Sequence, residues 1–306
     1  MLKRIKSEQV RLGMYVEAIE GAWTDHPFWR NSFLLKHGKD VERLKSSNVN
    51  AVVIDTGKGV DIAPTTDIAG ASRPGANPEL KRALKTIEHT KPMLKEMFGN
   101  ARMGGVVSVT SATEAVEHIA RSVKDSSSAL IEITRLQRSD EDTFLHSIAV
   151  SALMIHLGRA IDLDEQAARD LGMSGLLHDI GKTKIPPAVL KKAGALTDEE
   201  KRLMRHHPVL GHALLERQGS MPDVVLDVCL HHHERMDGNG YPHGLKGDAI
   251  CLPARIATIC DVYDALTSER PYKKAWVPAA AAKFMVEQDG LFDKRLLMRF
   301  LYSLNI

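Results

Sequence analysis

Residues 176–182, Leu176-Leu177-His178-Asp179-Ile180-Gly181-Lys182, decide how the rest of the chain reads. An apolar pair runs into two adjacent ionisable side chains, and Gly181 stands where a helix would stop. An imidazole and a carboxylate at the end of an apolar helix carry a large desolvation cost, which a metal ion commonly offsets. A solitary buried His-Asp pair is more often a hydrogen-bonded core pair. The surroundings outweigh that ordinary reading, because ten of the 14 histidines lie between His146 and His243.

Candidate ligands recur through this region: His146, His178 with Asp179, His207, His232 with His233, and Asp261. From His178 onward they are spaced by 25 to 29 residues, about one helix plus a connection. Ligands so spaced would come from neighbouring helices and converge in a bundle core. Five histidines and two carboxylates over-supply a single ion, so two or more divalent metals are expected.

Helical rows sort some of these residues. Leu203, His207, Leu210 and Leu214 share one face, whereas His206 falls beside Arg202 and Arg205, so His207 is expected to point inward. Pro208 would free the carbonyl of Met204 and bend the helix there. Periodicity does not choose among His231, His232 and His233, whose directions diverge by about 100° each on a helix. Asp261 lies on a row with Ala254, Ala257 and Ala265, a buried-looking stripe that offers a carboxylate no side-chain partner. Pro253 is placed to open that helix and Pro271 to end it. Asp142 and His146 are four apart, one helical face, although Asp142 beside Asp140 and Glu141 reads equally as solvated charge. Arg270 and Lys273 read either as an exposed basic patch or as phosphate ligands.

The 41 Lys and Arg against 39 Asp and Glu give no global field for nucleic acid or membrane. Cys229, Cys251 and Cys260, without CxxC spacing, suggest reduced thiols. With no run of 18 apolar residues and no apolar signal core after Lys3-Arg4, a soluble, cytoplasmic protein is expected.

Three segments are expected. Residues 1–70 read as a small α+β module: short apolar runs at Met14–Ile19, Ser32–Leu35 and Ala51–Asp55, a helical pattern over Asp40–Ser47, and three aromatics within Trp23–Trp29 as a mini-core or docking surface, with His26 uninformative. Residues 71–110 read as linker and connecting helix, with Gly, Pro, Ala and Ser over Ala69–Pro78, a charged helix over Glu79–Thr90 interrupted at Pro92, and a loop over Gly99–Gly105. Residues 111–306 read as all-α, opened by a capping box at Ser111 to Glu114. The fold class is therefore mainly α, a helical bundle behind a small α+β domain.

The segments His146-Ser147, Leu176–Pro186, Leu196–Glu200, His207–Gly211, His232–Arg235, Asp237-Gly-Asn-Gly-Tyr-Pro242, Ala254–Ile256, Asp261–Ser268, Arg270–Tyr272 and Phe292-Asp293 resemble, in order and spacing, the HD-GYP branch of the HD-domain metal-dependent phosphohydrolases. Gly13–Val16 and Asp25–Phe28 resemble a small domain of unknown function found ahead of some members. The resemblance implies hydrolysis of the phosphodiester bonds of cyclic di-GMP to pGpG and, in some members, to GMP. By position it implies His146, His178, Asp179, His207, His232, His233 and Asp261 as metal ligands, preferring His232 and His233 over His231. It puts Lys182, Arg270 and Lys273 at the substrate phosphate. Where some members carry a glutamate that helps hold a third metal, this chain has Asp142.

Two ions about 3.5–4 Å apart could bridge a water, lower its pKa toward about 7 and present hydroxide in line with phosphorus. Two or three divalent ions are expected, iron or manganese being suited to imidazole and carboxylate. Asp179 and Lys182 are the residues expected at the chemistry. The rival reading is a cyclic di-GMP receptor or adaptor that binds GGDEF-domain partners, the Gly240-Tyr241-Pro242 loop being the docking element. The sequence is also compatible with a homodimer.

Overall fold

The computed structural model describes residues 2–20, 32–35, 38–46, 49, 51–60, 78–136, 143–192, 194–268 and 275–306. They fall into two compact units, Met1–Arg73 and Pro74–Ile306.

In the first unit, β1 (Leu2–Lys6), β2 (Tyr15–Glu20), β3 (Phe33–Leu34) and β4 (Ala51–Asp55) form one antiparallel sheet in the order β1-β4-β2-β3, with α1 (Gly38–Ser46) between β3 and β4 in the chain. Its core is Ile5, Val10, Met14, Val16, Leu35, Leu44, Val52 and Ile54. The sequence reading anticipated β2, β3, β4 and α1 but not β1. Within β1 only Ile5 is buried, and Lys3, Arg4 and Lys6 give it the charged profile by which an edge strand discourages further pairing. The Trp23–Trp29 segment with His26, and residues 69–77 of the expected linker, lie outside the described residues.

The second unit opens with α2 (Pro78–Arg102) and α3 (Val109–Leu136). Pro92 sits inside α2 instead of ending it, and Gly99 belongs to the helix instead of a loop. An interior proline costs roughly 3 kcal/mol. Against that, Ile87, Leu94, Met97, Phe98 and Ala101 of α2 are buried in one core with Ala112, Val116 and Ile119 of α3. Burying a large apolar side chain returns roughly 1.5–3 kcal/mol, so packing on both sides of the proline outweighs the local penalty. The cap of α3 also differs from expectation: Ser108, not Ser111, is the capping residue, its Oγ accepting the Ser111 N–H at 3.1 Å. Within α3 the backbone is extended at Ser126, whose hydroxyl accepts from Ala129 N and restarts the helix.

The central helix is α4 (Thr143–Ala160), buried at every residue from Leu145 to Ile155, as a helix surrounded by others must be. Then come α5 (Glu165–Leu177), capped by Asp164 accepting from Ala167 N, and a 3-10 turn over Ile180–Lys184. They are followed by α6 (Pro187–Leu190), α7 (Asp198–Arg205), α8 (His207–Glu216) and α9 (Asp223–His231). The last three helices are α10 (Leu252–Thr267), α11 (Pro278–Glu287) and α12 (Lys294–Ser303). Pro253 is the second residue of α10, and Pro271 lies outside the described residues. Beyond residue 110 the described residues are helical apart from turns and one isolated bridge, Asp237 to Lys246. No helix among the described residues is long and apolar enough to cross a membrane. The ends of α5, α8 and α9 and the flanks of α4 and α10 meet at one point.

Candidate metal centre

His146 projects from α4, His178 and Asp179 follow the end of α5, His207 is the first residue of α8, His232 and His233 follow the end of α9, and Asp261 sits in α10. All seven gather in one place. Asp179 is 1% exposed, and its two carboxylate oxygens divide the cluster. Oδ1 faces His207 Nε2 at 3.2 Å and His232 Nε2 at 3.8 Å. Oδ2 faces His178 Nε2 at 3.4 Å and His146 Nε2 at 3.7 Å. His233 joins the first set, its ring 4.2 Å from that of His232 and 5.0 Å from that of His207, whereas Asp261 joins the second, its Oδ1 3.1 Å from His146 Nε2. Thus Asp179, His207, His232 and His233 could hold one ion, and His146, His178 and Asp179 another, with Asp179 common to both.

Local structure sets the aim of each imidazole. Nδ1 of His178 donates to Gly175 O at 2.8 Å, and Nδ1 of His232 donates to Val228 O and Cys229 O, both at 3.1 Å. His207 uses the carbonyl that Pro208 releases, Nδ1 donating to Met204 O at 2.7 Å. Because a carbonyl only accepts, these three rings carry their proton on Nδ1 and turn a bare Nε2 inward. Nε2 of His207 and Nε2 of His232 are 3.3 Å apart, lone pair toward lone pair, with a carboxylate oxygen beside them. His178 Nε2 and Asp179 Oδ1 are buried with no hydrogen-bond partner. Such a set of acceptors repels itself unless cations lie among them, and their chemistry fits more than one divalent metal.

The electrostatics agree. Burial, reinforced by the neighbouring imidazoles, holds His232 well below the usual histidine range, and burial pushes His233 down to about 3, so both stay neutral and ligand-competent. Burial alone would raise the carboxyl of Asp179, but the ammonium of Lys182 outweighs it and keeps that carboxyl well below its ordinary value. Lys182 Nζ donates to Asp179 Oδ2. His146 is raised instead, the cost of burial being overcome by Asp261 and Asp264.

Gly181 does not act as the helix stop expected of it. Helix α5 has already ended at Leu177, and Gly181 lies inside the 3-10 turn, pressed against α8. A Cβ there would sit 1.9 Å from His207 O and 2.6 Å from Gly211 N, so the missing side chain lets the Asp179 segment approach His207. The expected row through Leu203 and His207 also fails, since the helix breaks at His206 and Leu203 is 43% exposed. His206 is exposed and His207 buried, as expected. His231 turns away from the cluster, its Nε2 3.1 Å from His243 Nδ1.

Two further carboxylates were not anticipated as site residues. Asp264 Oδ2 accepts from His146 Nδ1 at 2.6 Å, and Ser268 Oγ donates to Asp264 Oδ1, so Asp264 orients His146 toward Asp261. Glu234, buried beside His233, accepts the N–H groups of His243 and Leu245 at 2.7 and 3.0 Å. That anchors the Asp237–Leu245 loop, in which a Cβ at Gly240 would fall 2.5 Å from Glu234 Cα. The loop lays the Tyr241 ring on His233, centroids 4.8 Å apart and 25° from parallel, as one wall of the site. Cys229, Cys251 and Cys260 are unpaired thiols. Asp142, Arg270 and Lys273 lie outside the described residues.

An HD domain model matches residues 114–296, and a model of a domain of unknown function (DUF3391) matches residues 2–112. Over its whole length the chain is 44% identical to the cyclic di-GMP phosphodiesterase PA4108 of Pseudomonas aeruginosa, covering 77% of that protein. A second relative, the cyclic di-GMP phosphodiesterase response regulator RpfG of Xanthomonas campestris pv. campestris, is 47% identical over 44% of this chain and 36% of its own length. The solved structure of Bd1817, described as a HDG"Y"P protein from Bdellovibrio bacteriovorus, superposes over all of both chains with a TM-score of 0.61 at 18% identity, a likeness of fold.

Proposed function

The chain belongs to the HD-GYP branch of the HD-domain family, and from that membership we propose that it hydrolyses the 3′,5′-phosphodiester bonds of cyclic di-GMP to pGpG, and to GMP where both bonds are cut. The observation that supports this most is the single buried carboxylate of Asp179 facing a separate set of imidazoles with each oxygen. The proposed ligands are His207, His232 and His233 on one side of Asp179 and His146, His178 and Asp261 on the other. Iron or manganese suits these donors. Such ions, when bound, polarise a phosphoryl oxygen and acidify water at neutral pH.

The chain's own groups do the rest. Lys182, partly exposed beside Asp179, offers a cation to the phosphoryl oxygens once the cluster is charge-balanced. Arg270 and Lys273 are proposed for the same role. Asp264 keeps the His146 ring fixed, and Tyr241 covers one face of His233. Residues 111–306 would carry this chemistry, with 71–110 connecting and 1–70 regulating it. The receptor or GGDEF-adaptor reading has less behind it, because Tyr241 of the Gly240-Tyr241-Pro242 loop is committed to His233.

An anaerobic assay of metal-analysed protein, with products followed by chromatography, is expected to yield pGpG or GMP from cyclic di-GMP. Tight binding without products at full metal occupancy would move the reading to a receptor. We further propose Asp142, four residues before His146, as a ligand of a third ion. Asp142→Ala should then lower the metal content from three ions per chain to two by elemental analysis; three retained would sink that assignment.

A further inference from the structure

We propose that Arg205 binds the second phosphate of the cyclic dinucleotide, the one not being cleaved, and so sets the preference for a substrate with two phosphodiesters. The inference rests on the functional reading above and adds a residue that neither the resemblance nor the metal cluster picks out.

Arg205 is the last residue of α7, two positions before His207. Every other cation of that helix has a carboxylate within reach: Lys201 pairs with Asp198 at 2.9 Å and Arg202 with Glu199 at 3.7 Å. The remaining acid, Glu200, is taken by Lys192 and by the backbone of Thr197. Arg205 has Lys201 and Arg202 at the preceding helical positions and Pro208 and Val209 at the following ones, so its own helix offers it no acid.

What it meets instead is aromatic. Its guanidinium carbon lies 5.4 Å from the centroid of the Tyr241 ring, which stacks on His233. The guanidinium is thus carried on the wall of the metal centre, one ring away from a candidate ligand, exposed to solvent and with no carboxylate partner among the described residues. Lys182, by contrast, is engaged by Asp179. A planar guanidinium held against a ring, its N–H edge free, suits a bidentate contact with phosphate oxygens. Its setting beside the cluster, and not within it, matches an anionic group of the substrate remote from the scissile bond.

The test compares Arg205→Ala and Arg205→Lys with the wild-type holoenzyme on cyclic di-GMP and on bis(p-nitrophenyl) phosphate, a diester with one phosphorus. Loss of a charge-assisted contact of this kind weakens binding by about tenfold or more. Arg205→Ala should raise KM for cyclic di-GMP by about that factor with a much smaller change in kcat, and should lower the selectivity for cyclic di-GMP over the simple diester by about tenfold. Arg205→Lys should recover part of the loss by restoring the charge. An unchanged KM, or equal losses on both substrates, would overturn the proposal, equal losses meaning that Arg205 acts on the reacting centre through Tyr241. If the wild type cleaves the simple diester but not cyclic di-GMP, the functional reading itself fails, and this inference with it.

Discussion

Asp179→Ala is expected to abolish turnover, by roughly 10³-fold or more, since metal polarisation contributes several kcal/mol and each 1.36 kcal/mol is tenfold in rate. Among the described residues Asp179 is the one member common to both groups of candidate ligands, so its loss should release both ions and not one. The fold should survive. In the metal-free protein the carboxylate is held by Lys182, and removing it gives up that pair while leaving one acceptor fewer among the bare imidazole nitrogens. Lys182 loses its partner, but its side chain is 31% exposed and can turn to water. The metal-free variant should therefore unfold at or near the midpoint of the metal-free wild type, while elemental analysis finds the ions gone. Asp179→Asn, which keeps the shape and loses the charge, should fail in the same way. Turnover at normal metal content in either variant would remove Asp179 from the proposed role.

The gathering of His178, Asp179, His207 and Asp261 was legible because a ligand row that recurs every 25 to 29 residues from His178 onward survives any detail of how the helices cross. The choice of His232 and His233 was not legible from periodicity, for a reason the backbone makes plain. Helix α9 ends at His231, so the directions of the next two side chains come from the helix-terminal geometry, which a 3.6-residue repeat does not describe. Asp264 could have been found: it is three residues after Asp261, the right offset to share a helix face with it. Glu234 could not, because its partners are backbone N–H groups nine and eleven residues onward, and a lone glutamate after three histidines looks like any surface charge. Pro92 marks the opposite failure, where a sound local rule was overruled by burial on both sides of it. Pro208 was readable from the sequence because its effect falls on one carbonyl, that of Met204, which orients His207.

Gly181→Ala is expected to damage stability and metal binding together, although the residue ligates nothing. Its backbone angle is not the reason, since its φ lies outside the left-handed region. The reason is contact: an added methyl would sit 1.9 Å from His207 O and within 3 Å of Gly211 N and Cα, all backbone atoms that cannot rotate away. Overpacking of this kind costs roughly 3 kcal/mol at the upper end of its usual range, which for a unit of this size lowers the unfolding midpoint by roughly 6–12 °C. The strain is relieved only by moving the 3-10 turn away from α8, which separates Asp179 from His207, the pair that stands 3.2 Å apart across one candidate ion site. Metal affinity should fall with stability, by about tenfold or more, as it does when groups that position ligands are lost. Gly99→Ala supplies the contrast. That glycine is helical, nothing lies within 4 Å of its would-be Cβ, and the same substitution should stabilise by roughly 0.5–1 kcal/mol. Opposite signs in a pair of melting curves, with metal loss confined to the first variant, would tie the reach of Asp179 toward His207 to the absence of one methyl group. A Gly181→Ala protein that melts with the wild type and keeps its ions would show instead that α8 can yield without disturbing the centre.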